Sequence, residues 1–258
     1  MTELLLGTSG YSYSDWIGPF YPEGLDKSEQ LSFYSTFFNT VEINFTYYKI
    51  PNPHIFEAMA RKVPDGFIFS VKMHSSMTHT RDCPKDDYRR YIDALSPLKD
   101  SGKLGAVLMQ FPWGFKLSAS NMDYLGYLRK KFGDMELCVE FRHNSWLTAE
   151  VFDFCRSHDL GFCNVDEPRL KTLLDPTDIN TTDSGYIRFH GRNAANWWKS
   201  AKAYMRYDHM YTQEELLPWT GRIKKLSLST KKTYIYFNNH YKAQAVKSAN
   251  LLQNLLKG

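Results

Sequence analysis

Four apolar runs in this chain end in the same unusual way, with two polar or charged side chains placed two residues apart. They are Glu42 and Asn44 in Thr40-Val-Glu-Ile-Asn-Phe45, Glu140 and Arg142 in Leu137-Cys-Val-Glu-Phe-Arg142, Arg188 and His190 in Tyr186-Ile-Arg-Phe-His190, and Asn238 and His240 in Tyr234-Ile-Tyr-Phe-Asn-Asn-His240. A strand alternates its side chains between two faces, so each pair points to one side. Burying a charge without a partner is costly. Repeating that cost on several strands is tolerable only where the strand ends converge on one polar site. A fold that gathers many strand ends around one opening is therefore required.

The rest of the chain has the rhythm such a fold needs. Short apolar runs at 4–9, 40–45, 67–72, 104–111, 136–142, 161–165, 185–190 and 233–238 read as strands. Amphipathic stretches at 27–38, 53–62, 85–99, 121–132, 148–158, 213–229 and 242–256 read as helices, with Asn121 and Thr148 placed as N-caps. The stretch 168–184, polar and carrying Pro176, reads as loop or a single turn. Strands alternating with helices imply parallel pairing through right-handed crossovers. An open doubly wound sheet would carry a Gly-rich phosphate turn after its first strand. Gly7-Thr-Ser-Gly10-Tyr-Ser-Tyr13 is not that fingerprint. The expectation is an α/β fold, a single TIM-like (β/α)8 barrel domain spanning 1–258, a length typical of one such barrel.

Composition narrows the partners. A hydrophobic content of 43% supports a large core, and a formal net charge of +4 allows an anionic ligand without the dense basic stripe of many nucleic-acid binders. The four cysteines contain no Cys-x-x-Cys pair and read as structural thiols. No apolar run reaches the roughly 20 residues of a membrane helix, and the N-terminus shows no secretory pattern, so a cytoplasmic location without membrane contact is expected. No protein partner can be inferred.

Several segments resemble the YecE-like family, also known as domain of unknown function 72. They are Gly7-Thr-Ser-Gly-Tyr-Ser-Tyr-Ser-Asp-Trp16 with Gly18-Pro-Phe-Tyr-Pro22, Phe38-Asn-Thr-Val-Glu-Ile-Asn44, Gln110-Phe-Pro112, Glu140-Phe-Arg-His-Asn-Ser-Trp146, Tyr186-Ile-Arg-Phe-His-Gly-Arg192, and Tyr234-Ile-Tyr-Phe-Asn-Asn-His240. The resemblance spans nearly the whole chain, implies a TIM-barrel-like fold, and carries little chemistry. Lys72-Met-His-Ser-Ser-Met-Thr-His79 matches more loosely, and no role for His74 or His79 follows from it.

Active sites of TIM barrels lie at the carboxyl ends of the strands. There the sequence places Ser9 and Tyr11, Glu42 and Asn44, Lys72, Gln110, Glu140 and Arg142, Asp166, Arg188, His190 and Arg192, and Asn238 and His240. Glu42, Glu140, Asp166 and His190 are the expected catalytic acid/base groups, with the cations as clamps for phosphate or carboxylate. Trp16 and Trp197 are the loop aromatics expected to stack on a sugar or a base. The expected ligand is anionic, phosphorylated or sugar-containing, with nucleic acid as one version of it. The expected chemistry is hydrolase, lyase or isomerase, and a non-catalytic metabolite-binding or interaction protein is the alternative. The cofactor stays open. The carboxylates with His190 and His240 also suit a divalent metal and a metal-dependent phosphoesterase, but Arg142, Arg188 and Lys72 crowd the same space, so a metal is not favoured.

Overall fold

The structure is a computed structural model that describes residues 2–258. Eight parallel strands form one sheet: β1 (Glu3–Thr8), β2 (Thr40–Ile43), β3 (Ile68–Lys72), β4 (Leu104–Gln110), β5 (Leu137–Glu140), β6 (Leu160–Asp166), β7 (Ser184–Phe189) and β8 (Lys232–Phe237). The ladder runs β1-β8-β7-β6-β5-β4-β3-β2. Between β1 and β2 only a single bridge, Ser9 to Glu42, brings the ends together. The sheet is a nearly closed barrel with helices around it, as the alternation of runs implies.

Side chains complete the seam that backbone pairing leaves open. The Asn39 amide donates to the Leu4 carbonyl at 3.0 Å and accepts from the Leu6 N–H at 3.2 Å, standing in for a neighbouring peptide. The Tyr34 hydroxyl accepts from the Thr8 N–H at 2.9 Å and donates to the Thr40 carbonyl at 3.1 Å. Tyr34 lies on α1 (Gln30–Tyr34), which is much shorter than the helix expected over 27–38. Phe33, Tyr34, Phe37 and Phe38 pack with Phe20 as an aromatic cluster, and the chain bends after Tyr34 to place them.

The outer layer continues with α2 (Pro53–Ala60), α3 (Ser75–Thr78), α4 (Lys85–Asp100), α5 (Ala119–Phe132), α6 (Ala149–Ser157), α7 (Gln213–Ser227) and α8 (Gln244–Lys257). Thr148 caps α6 as expected. The cap of α5 is Ser118 rather than Asn121, because the Ser118 hydroxyl accepts from the Asn121 N–H. The expected loop at 168–184 carries no helix. Among the described residues no helix is long and apolar enough to cross a membrane.

The barrel interior is not the usual stack of branched aliphatic layers. Tyr186, Tyr234 and Tyr236 fill it, each fully or almost fully buried. Their hydroxyls find partners in Glu42 (2.8 Å), Glu136 (3.1 Å), and Ser70 (2.9 Å) with Thr40 (2.6 Å). Such a core tolerates charge at its upper layer, where the strand ends meet.

Candidate functional site

At the carboxyl ends of the strands lies a cavity of about 880 Å3. Its floor is an ion-pair lattice. Glu140, on the last residue of β5, accepts from both Arg142 and Arg188, each at 2.5 Å. Arg188, on β7, also donates to Glu42 at 2.7 Å and makes a longer contact to the Ser9 hydroxyl at 3.4 Å. Glu42 receives the Tyr186 hydroxyl as well. His190 lies 3.3 Å from Glu140 through Nε2 and 3.2 Å from the Asn238 amide through Nδ1. Nε2 also lies 3.1 Å from the Arg142 guanidinium, so that ring nitrogen meets both an acceptor and a donor.

Charge states follow from this geometry. Burial opposes ionisation of Glu140, yet the Arg142 and Arg188 guanidiniums overcome it and hold the carboxyl well below its usual range. Burial and the Arg142 charge push His190 down to about 3, so it stays neutral. Glu167 follows β6 and takes part too. It accepts from Arg142 at 3.2 Å and from the Leu174 N–H at 3.0 Å, while burial pushes it up to about 7.

The carboxylates do not reach the cavity surface. Glu42, Glu140 and His190 are fully buried beneath the guanidiniums and line none of it. Asp166 is displaced further. Cys163 approaches Glu140, so the odd-numbered residues of β6 face the barrel and Asp166 turns outward. There it takes two hydrogen bonds from Arg192 (2.9 and 2.7 Å), one from the Tyr211 hydroxyl (2.8 Å) and one from the Trp219 indole (2.7 Å). The inward acid on that segment is Glu167, one residue on. Arg192 leaves the cavity with Asp166. Trp16 is fully buried and donates to the His240 carbonyl at 2.7 Å, so it supports the rim from below. Ser9 is also buried, in the β1–β2 seam.

Nine expected ligand-binding residues do line the cavity: Tyr11, Asn44, Lys72, Gln110, Arg142, Arg188, Trp197, Asn238 and His240. Lys27, Arg206, Tyr207 and His79 join them without having been singled out from the sequence for that role. Arg206 and Tyr207 sit in a 3-10 turn within the long segment after β7, where no periodic pattern reveals which side chains fold back. Lys72 donates to Gln110 at 2.7 Å and lies 4.5 Å from the Tyr47 ring. Burial in the mouth, with Arg188 next in effect, pushes its ammonium down to about 7. His79 is lowered to about 4 by burial and by Lys72. Tyr13 stacks on His240 with 4.5 Å between ring centres, and Trp113 meets Trp198 edge-on at 5.5 Å on the rim.

The lining thus contains five basic side chains, Lys27, Lys72, Arg142, Arg188 and Arg206, and no carboxylate among the described residues. Among the described residues no group of three or more His, Cys, Asp or Glu could hold a metal ion. Glu42, Glu140, Asp166 and Glu167 are each engaged by arginine.

Comparison with known proteins agrees with the fold. UPF0759 protein YunF of Bacillus subtilis (strain 168) is 30% identical over 269 residues, covering 98% of this chain and 94% of that protein. A crystal structure of a DUF72 family protein from Thermotoga maritima MSB8 superposes with a TM-score of 0.91 at 41% identity, covering 99% of this chain and all of that one. A DUF72 family protein from Enterococcus faecalis V583 gives 0.87 at 25% identity, over 99% of this chain and 96% of that one. The 3-keto-D-glucoside 4-epimerase YcjR of E. coli, at 0.52 and 11% identity over the full length of both chains, shares the fold alone. The family described as protein of unknown function DUF72 matches residues 5–258, and this chain belongs to it.

Proposed function

We propose that the cavity binds an anionic ligand, a phosphate ester or phosphorylated sugar, and that acid/base chemistry of the hydrolase, lyase or isomerase kind is carried out by groups on its surface. One observation carries this reading: five basic side chains, three of them arginines, and no carboxylate among the described residues line the space. Such a wall attracts an anion and repels a cation, and the arginine forks match phosphate in two hydrogen bonds. The tyrosines and tryptophans of the rim suit the faces of a sugar. The acid/base role passes from Glu42, Glu140 and Asp166 to Lys72 and His240, which face the cavity and whose ionisation burial depresses.

Calorimetric titration with glycerol 3-phosphate, and with glycerol as its uncharged counterpart, tests this. The ester is expected to bind and glycerol is not. Arg206→Ala removes one lining cation, whose guanidinium lies 5.9 Å from the Trp197 ring. It is expected to weaken the ester by about tenfold, the effect of one charge-assisted hydrogen bond of about 1.5 kcal/mol. Equal affinity for the two compounds would defeat the reading.

The second reading, a binding protein without turnover, draws on the burial of every carboxylate expected to be catalytic. A ligand that binds tightly and returns chemically unchanged from the protein would favour it.

A further inference from the structure

Three cations form the inner wall of the cavity, and one differs from the others. Arg142 is paired with Glu140 and Glu167, and Arg188 with Glu42 and Glu140. Lys72 has no carboxylate within ion-pair distance among the described residues; its Nζ meets only the Gln110 amide oxygen and the Tyr47 ring. A lysine held beside two arginines with no counter-ion is placed where an ammonium is disfavoured. Its backbone is anchored. The Lys72 carbonyl accepts from the Thr46 hydroxyl at 2.6 Å and from the Tyr91 hydroxyl at 2.9 Å, and the next N–H, Met73, donates to Leu108 at 2.9 Å. The backbone bonds fix where the side chain starts, and the Gln110 bond and the Tyr47 ring set the amine in the cavity wall.

We propose that Lys72 is a nucleophile that forms an imine with the carbonyl group of an anionic aldehyde or ketone bound in the cavity. The inference rests on the anion-binding reading and narrows its ligand to compounds that carry both a carbonyl and a phosphate or carboxylate. The neutral amine adds its lone pair to the carbonyl carbon, and the C=O bonding pair moves to oxygen. A proton passes from nitrogen to that oxygen through cavity water, giving a carbinolamine. The carbinolamine then loses water as the C=N bond forms. Amine and carbonyl become imine and water, with no oxidant or reductant required. Arg142 and Arg188 hold the anionic end, while burial first and the Arg188 charge next disfavour the ammonium form and keep a large share of Lys72 neutral near pH 7. Glu140 and Glu42, each engaged by arginine, act on Lys72 in the opposite sense to burial.

Borohydride trapping tests this on the whole protein, with dihydroxyacetone phosphate as the probe. Hydride adds to the imine carbon and leaves a stable secondary amine, located by peptide mass spectrometry. The expected result is labelling at Lys72 on the order of tenfold faster than at exposed lysines such as Lys99, since near pH 7 an ordinary lysine is almost wholly protonated. The rate should fall as pH drops through about 7, where Lys72 gains its proton. Lys72→Met should abolish the selective label. The mapping of wild-type protein decides the matter even where that variant does not fold. Labelling spread evenly over the lysines overturns the proposal. Binding of glycerol 3-phosphate, which has no carbonyl, decides the anion-binding reading separately. Phosphate binding without selective labelling removes the nucleophile and leaves the anion site standing.

Discussion

Glu140 ties two guanidiniums into one buried lattice, and its removal exposes how that lattice is balanced. Glu140→Ala leaves Arg142 and Arg188 each short of a partner inside the barrel. Breaking a buried ion pair costs about 3–5 kcal/mol, so urea unfolding should register a loss of that order. A change below about 0.5 kcal/mol would mean that the lattice is not structural. Two pH effects follow from neighbouring residues. His190 is held at about 3 in the fold, while an unfolded histidine titrates near 6.5, so stability is lost as pH falls below about 6.5. Glu140, whose folded carboxyl lies well below its usual range, adds to the loss once pH falls below about 4.3. His190→Gln should flatten the part of the pH–stability curve between about 6.5 and 4.3, measured by denaturant midpoints at stepped pH. Glu167 has the opposite sign. Its folded value is raised to about 7, so its contribution is full below the unfolded value near 4.3 and is lost as pH rises through 7. Glu167→Gln should therefore gain stability relative to the natural protein at pH 8 and not at pH 4; the reverse order would contradict the burial argument. At this scale the sequence exposes which residue types are out of place, but not which side they face. Asp166 ends β6 and Glu167 follows it, and a one-residue parity error exchanges a structural anchor for a member of the floor.

Among the elements, the β1–β2 seam is where backbone hydrogen bonding is thinnest and side chains do most. Tyr34→Phe removes the hydroxyl that serves both the Thr8 N–H and the Thr40 carbonyl, and should cost about 1–3 kcal/mol through the unsatisfied backbone groups. Gly7 sits against the same seam. A Cβ there would lie 2.1 Å from the Thr40 carbonyl oxygen, so Gly7→Ala must push β1 and β2 apart. It should destabilise more than a change at Gly114, where nothing stands within 4 Å of an added Cβ. Comparable thermal midpoints for the two variants would refute the close approach. The eight strands and their order were legible because each is a short apolar run bounded by turn residues. Strand ends were less so. Asn44 turns into helical backbone geometry and stops β2 at Ile43, and β5 stops at Glu140, although both runs continue apolar-polar alternation beyond those points. The short α1 was hidden for another reason: its aromatic spacing satisfies a helical pattern and an aromatic cluster equally well.

For the whole molecule, a cavity lined by cations makes a claim about ionic strength. Exposed charges are screened beyond about 10 Å at 0.1 M salt, whereas the floor arginines are sheltered. Binding of glycerol 3-phosphate should therefore weaken between low and high salt, and more for the natural protein than for Arg206→Ala, because Arg206 is among the outer cations. Salt-independent binding would show that rim charge contributes nothing. The chain by itself determined the closed arrangement of parallel strands, because the alternation of apolar runs and amphipathic stretches admits few other packings. It also determined that polar residues meet at one end, since no other arrangement lets so many of them be buried. Tertiary structure alone decided which of those residues face open space. Arg188, brought from β7, engages Glu140 and Glu42 at 2.5 and 2.7 Å beside the local Glu140–Arg142 pair, and pairing across strands depends on the radius and register of the nearly closed barrel, which no local pattern encodes. What remained at the surface was the positive half of each pair and an unpaired lysine.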